Sequence, residues 1–197
     1  GADFLLCSAY KFYGPHAGIL YSRGELLNRI PTYFLRTQEA HAPFRIETGT
    51  LNFAALNGVS AAIDFIASFD PSDGDEPKLD RAMNAIAAYE EHLATRIARG
   101  LAGIPGLRMV GPDFSGGLRA PTISFTLNGV DPHTVCAELD DQAILAWNGH
   151  FYGIRVVEVL GLLEKGGLTR VGVSVYNTEA EVDRLVTAVE DIAARHG

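Results

Sequence analysis

From residue 107 to residue 192 the apolar positions keep changing period, and a chain patterned this way has to build a sheet and lay helices against it. Residues 107–110 and 121–127 read as strands. Asp131-Pro132 opens a helix through about Asp141, with Asp131 as its cap, because a short carboxylate can accept from the unpaired amides of a first turn. Residues 143–147 read as a further strand and 151–160 as a helix. In residues 169–175 the valines fall on one face of a strand while Arg170, Gly172 and Ser174 fall on the other, so one face is core and the other could face a cleft. The last helix has the plainest start: Thr178 and Glu181 fit a capping box, and Val182, Leu185, Val186, Val189 and Ile192 form its apolar stripe. This order predicts a two-layer α+β unit at the C-terminus.

Upstream, the acidic stretch Asp70-Pro71-Ser72-Asp73-Gly74-Asp75-Glu76-Pro77 reads as a linker between residues 1–69 and 78–197. Before it come an apolar strand, Phe4-Leu5-Leu6-Cys7, short enough to be buried, a second strand at residues 18–21 and a short helix around Glu25 to Arg29. A further helix starts near Phe53, with Leu56, Val59, Ile63 and Ile66 at helical spacing. After the linker a long helix uses Pro77 near its first turn. It presents Leu79, Met83, Ile86, Leu93 and Ile97 before Gly100 and Gly103 stop it.

The chain has 197 residues, 47% hydrophobic, enough for a real core. A net charge of −8 argues against nucleic acid or an anionic membrane as partner, since each needs a basic surface. No apolar run reaches the roughly 20 residues of a bilayer span, and a cytoplasmic location is expected. Scattered histidines and no CxxC predict no metal site. Cys7 and Cys136 are expected to be reduced and buried.

Lys11 stands just past the first strand, in Ser8-Ala9-Tyr10-Lys11-Phe12-Tyr13-Gly14-Pro15-His16. Burial there would disfavour the ammonium form and leave an amine able to condense with a carbonyl, but spacing alone leaves an ordinary loop lysine as the readier reading. Arg170, by strand pattern alone, is either a solvated arginine or a clamp for a carboxylate, which a guanidinium grips with two parallel hydrogen bonds.

Ser-x-x-Lys-x-x-Gly-Pro followed by Gly18-Ile19-Leu20-Tyr21 resembles the cofactor-lysine segment of class V aminotransferases, in particular the cysteine desulfurase and selenocysteine lyase branch. Residues 45–52 and 170–178 are similar to the same family in the same order, as is the Gly149-His150 turn between them. The resemblance implies a pyridoxal 5'-phosphate enzyme of fold type I, α/β and α+β: the C-terminal part of the large cofactor-binding domain in residues 1–69, then the small α+β domain in 78–197. It covers the C-terminal half of the family's enzymes. The family's pyridine-nitrogen aspartate, its ring-stacking histidine and a phosphate turn lie upstream of that half.

By the same resemblance Lys11 carries the cofactor as a Schiff base, and Ser8, Tyr10 and Thr50 contact its phosphate, Thr50 across the interface of a homodimer. Tyr10 replaces the histidine common in desulfurases. Arg170 holds the carboxylate of a small amino acid, with His150 and Tyr152 beside the substrate, and reaction proceeds through an external aldimine. Tyr152 stands where desulfurases carry the cysteine that takes up sulfur, and a phenol cannot replace a thiolate as soft nucleophile. A second reading, of another class, is a catalytically inert fragment that serves as a folding or dimerisation module.

Overall fold

The computed structural model describes residues 1–70, 72, 77–115 and 119–196. Most of the expected linker, Pro71 and residues 73–76, lies outside the described residues. The chain forms two compact units, Gly1–Met83 and Asn84–Gly197.

In the first unit β1 (Phe4–Ser8) and β2 (Gly18–Ser22) form an antiparallel hairpin with Ser8 opposite Gly18. β1 is a strand as expected, but it is not buried. Leu5 is 54% and Leu6 79% exposed, because among the described residues β2 alone pairs with it and nothing covers that face. A short 3-10 turn, Ala9–Phe12, follows β1. Then come α1 (Gly24–Arg29) and, after a loop, α2 (Phe53–Ala67). Asn52 caps α2, its side-chain oxygen accepting the Ala55 N–H at 3.1 Å. The expected stripe of α2 is only partly internal: Ile66 is buried, whereas Leu56 and Ile63 are exposed. Asp70 and Arg81 are joined by a close ion pair, with the Asp70 side chain almost wholly buried.

In the second unit the sheet order is β3-β4-β6-β5, every neighbouring pair antiparallel. The strands are β3 (Leu107–Val110), β4 (Thr122–Leu127), β5 (Trp147–Gly149) and β6 (Leu168–Gly172). The helices are α3 (Lys78–Ala102), which begins in the first unit, α4 (Pro132–Asp140), α5 (Ile154–Val159) and α6 (Glu179–His196). One sheet face carries Ile123, Phe125, Leu127 and Val171, packed with Leu93, Ile97 and Leu101 of α3, Val135 and Leu139 of α4, and Val182, Val189 and Ile192 of α6. The opposite face bears Ser124, Arg170 and Gly172, the out-facing half of the alternation.

Both expected caps form. Asp131 accepts the His133 and Thr134 amides. Glu181 accepts the Thr178 N–H at 2.8 Å while Thr178 Oγ1 accepts the Glu181 N–H at 3.3 Å.

Three element boundaries need correction. The strand expected at residues 143–147 is instead β5, starting at Trp147. The amides of Ala143 and Ile144 bond back to Asp140 and Leu139 carbonyls at the end of α4, and Ala143 has φ 55°, so the first two residues of this stretch finish α4 instead of pairing with β6. The helix expected from Phe151 starts at Ile154, since Phe151 (φ 50°) and Tyr152 (φ 63°) are left-handed. Gly100 does not stop α3 but lies inside it, where a β-carbon would meet both Val186 methyls at 2.7 Å. Its role is the close approach of α3 to α6. Among the described residues no helix is long and apolar enough to cross a membrane.

Candidate functional site

The candidate site residues fall into two groups, one in each unit. In the first, the turn after β1 is built around Ala9, which is fully buried. Its amide donates to Ala17 O at 2.8 Å and its carbonyl accepts the Gly14 N–H at 2.9 Å. Gly14 is required there, since a β-carbon would lie 2.9 Å from the Ala9 β-carbon. Pro15 and Tyr13 pack this turn on α2, Pro15 within contact of Gly58 and Tyr13 edge-on to Phe65 at 5.5 Å between ring centroids. The turn is therefore held from behind, and Ser8 and Lys11 line an open groove with Cys7, Phe12 and Ile19.

Lys11 is exposed, so the burial expected past the strand end is not there. Its amine has no carboxylate partner among the described residues, and Nζ lies 5.9 Å from the centre of the Tyr10 ring. Tyr10 in turn stacks on His16, with 4.6 Å between centroids and an interplanar angle of 20°. His16 was not singled out by sequence, because stacking across a six-residue turn leaves no periodic signal.

Thr50 is exposed, two residues before the Asn52 cap, so capping does not occupy its hydroxyl. Arg45, in the same motif, is a brace. Its guanidinium donates to the Ile30 carbonyl at 3.1 Å, to Thr32 Oγ1 at 3.2 Å and to the Asn28 carbonyl.

In the second unit Arg170 and Trp147 are directly paired across β6 and β5, and Ser124 is opposite Arg170 on the other side. Arg170 is exposed, and its guanidinium carbon lies 4.2 Å from the centre of the Phe151 ring. No carboxylate among the described residues pairs with it. The turn after β5 brings His150 and Tyr152 to the same strand end. His150 Nδ1 accepts the Tyr152 N–H at 3.2 Å and its carbonyl accepts the Gly153 N–H at 2.7 Å, so this histidine holds the turn. Tyr152 is 99% exposed. Phe151 and Trp147 escaped the sequence reading, since a cross-strand register is not legible before the strands are paired.

Cys7 and Cys136 are free and half-buried rather than buried, and burial pushes the Cys136 thiol up from its ordinary value. Among the described residues no three His, Cys, Asp or Glu side chains gather to hold a metal.

Comparison with known proteins gives the family. The Aminotransferase class-V family model matches residues 1–185. A probable cysteine desulfurase 2 of Mycobacterium leprae is 31% identical over 201 residues, covering 96% of this chain and 44% of the relative. An aminotransferase-like protein of Gibberella zeae is 32% identical, covering 96% and 46%. Among solved structures, the apo cysteine desulfurase of Thermococcus onnurineus superposes with a TM-score of 0.81 at 27% identity, covering 98% of this chain and 48% of that one. The cysteine desulfurase CsdA of Escherichia coli, crystallised in an S-sulfonic acid form, gives 0.77 at 27%. The chain spans about half the length of the curated relatives it matches. With the family model matching residues 1–185 and its mixed α/β fold superposing on cysteine desulfurases, this chain belongs to the class V aminotransferase family, on the cysteine desulfurase-like side.

Proposed function

We propose that this chain provides the cofactor lysine and the substrate-carboxylate arginine of a pyridoxal 5'-phosphate enzyme acting on a small amino acid. Residues 1–69 would be part of the cofactor-binding domain and 78–197 the small domain, in a homodimer. The donor set suits the cofactor: Lys11 offers an amine to an aldehyde, and Ser8, Tyr10 and Thr50 offer hydroxyls to a phosphate. The observation that carries the reading is the groove after β1, where Lys11 and Ser8 lie together with the amine free of any carboxylate among the described residues.

When bound, pyridoxal 5'-phosphate supplies an electron sink for a carbanion at the substrate α-carbon. Lys11, on a turn fixed by Ala9 and Gly14, is the base that moves the proton at that carbon. Arg170 grips the carboxylate, because its planar fork matches two oxygens at once. Tyr152 cannot take up sulfur as a thiolate does, so sulfur transfer at this turn is not part of the function.

The exposed apolar side chains of the first unit, Leu6 at 79% and Tyr33 at 104%, favour the second reading, a module whose task is association.

Reductive trapping separates the two. The chain has three lysines, Lys11, Lys78 and Lys165. It would be incubated with pyridoxal phosphate, reduced with borohydride and mapped by peptide mass spectrometry. Labelling concentrated on Lys11 and lost in Ser8→Ala supports the cofactor reading. Equal labelling of the three lysines overturns it.

A further inference from the structure

The open face of the second unit's sheet carries a row of side chains at one level: Ser124, Arg170 and Trp147, directly opposite one another on β4, β6 and β5. The other face is closed by helices, so a small molecule reaches Arg170 from the side of this row. Trp147 is 69% exposed and Tyr152 99% exposed. Directly opposed residues of an antiparallel pair have β-carbons about 5 Å apart, which places the indole within reach of whatever Arg170 binds.

Phe151 sets the direction of binding. Its ring lies 4.2 Å from the guanidinium carbon of Arg170. The phenyl ring carries no carboxylate or carbonyl, so this cation–π contact does not neutralise the guanidinium with an anion and leaves it to a carboxylate. The ring is held there by a left-handed backbone at Phe151 and Tyr152, itself pinned by the two bonds to His150.

The geometry points to an amino acid with an aromatic side chain as the ligand of this site: the carboxylate is taken by the edge of Arg170 and the ring lies against Trp147. This rests on the reading of Arg170 as the carboxylate clamp and departs from the small side chain proposed above, putting an aromatic one in its place. A small polar side chain such as that of cysteine or serine would leave the indole in water. An aromatic one removes apolar area from water on both partners and adds a ring-to-ring contact.

Trp147 is the single tryptophan of the chain, so its emission reports on the site without any cofactor. The test titrates the full chain with L-phenylalanine, L-alanine, L-cysteine and phenethylamine, the last being phenylalanine without its carboxylate. The expected result is a saturable change in emission with phenylalanine at about one tenth of the concentration that alanine or cysteine requires. Phenethylamine should bind about tenfold more weakly than phenylalanine.

Arg170→Lys should weaken every carboxylate ligand. Phe151→Asn keeps a residue that tolerates the left-handed backbone while removing the ring, and it should weaken them too. Saturation by all three amino acids at one concentration overturns the selection by rings and leaves Arg170 as a clamp. Equal binding of phenethylamine and phenylalanine, or no saturable change with any of them, overturns the clamp itself.

Discussion

Gly167 and Gly149 approach so closely that a β-carbon on Gly167 would sit 2.3 Å from the Gly149 carbonyl oxygen and 2.5 Å from its carbon. Both are left-handed, at φ 87° and 117°. Their contact fixes the turn that carries His150, Phe151 and Tyr152 against the start of β6, two residues from Thr169 and three from Arg170. Gly167→Ala should therefore cost about 2–4 kcal/mol, the sum of a left-handed backbone and an overlap with main chain that cannot move aside. Urea unfolding measures it, and the emission of Trp147, beside the turn, should change in the folded state.

Gly100→Ala tests the approach of α3 to α6. Helix propensity favours alanine by about 1 kcal/mol, yet the added carbon meets the Val186 methyls at 2.7 Å, and a β-branched side chain has little rotamer freedom to yield. Overpacking costs about 1–3 kcal/mol, so net destabilisation is expected. Val186→Ala in the same chain should recover stability, as thermal unfolding of the single and double variants would reveal.

Glu90 on α3 is half-buried, and burial raises its carboxyl above the ordinary 4.5, against a smaller opposing effect from the Ser174 hydroxyl bond. The folded state thus holds its proton more tightly than the unfolded state, and this group subtracts stability as pH rises past 4.5. Glu90→Gln should raise Tm at neutral pH and lose that advantage as pH falls below 4.5. An advantage that is the same at every pH would refute the linkage.

Thr178→Ala removes one half of the capping box of α6 and should cost about 1 kcal/mol. The other half is the Glu181 carboxylate, held below its ordinary 4.5 chiefly by the Thr178 N–H. A depressed carboxyl stabilises above its unfolded value and ceases to do so as pH falls through the folded one. Acid should therefore weaken the wild-type cap, and Glu181→Gln should flatten that dependence in Tm measured against pH.

Tyr152→Cys would place a thiol at the most open position of the Gly-His turn, 99% exposed in the tyrosine. It should react with a disulfide reagent faster than Cys7 and Cys136, both half-buried, the latter with its thiol pushed up by burial. Stopped-flow absorbance would resolve one fast thiol and two slow ones. Three equal rates would contradict the exposure assigned to the turn.

The sequence by itself determined the features that repeat at short range. The Asp131 and Thr178–Glu181 caps, the alternation of Val171 with Arg170 and Gly172, and the stripe of α6 were legible because each depends on residues one to four positions apart. The family was legible from the pattern of the lysine turn, the Gly-His turn and the strand arginine, and the match over residues 1–185 bears out the family. Only the tertiary structure decided the rest. The burial of Leu5, Leu6, Leu56 and Ile63 depends on what lies over them, which periodicity does not encode, and they are exposed. β5 starts late, at Trp147, and the end of α4 takes the amides of Ala143 and Ile144. The pairing of Trp147 with Arg170, and the Phe151 ring beneath the guanidinium, arise from strand register and from two left-handed residues, and both are fixed only when distant segments pack.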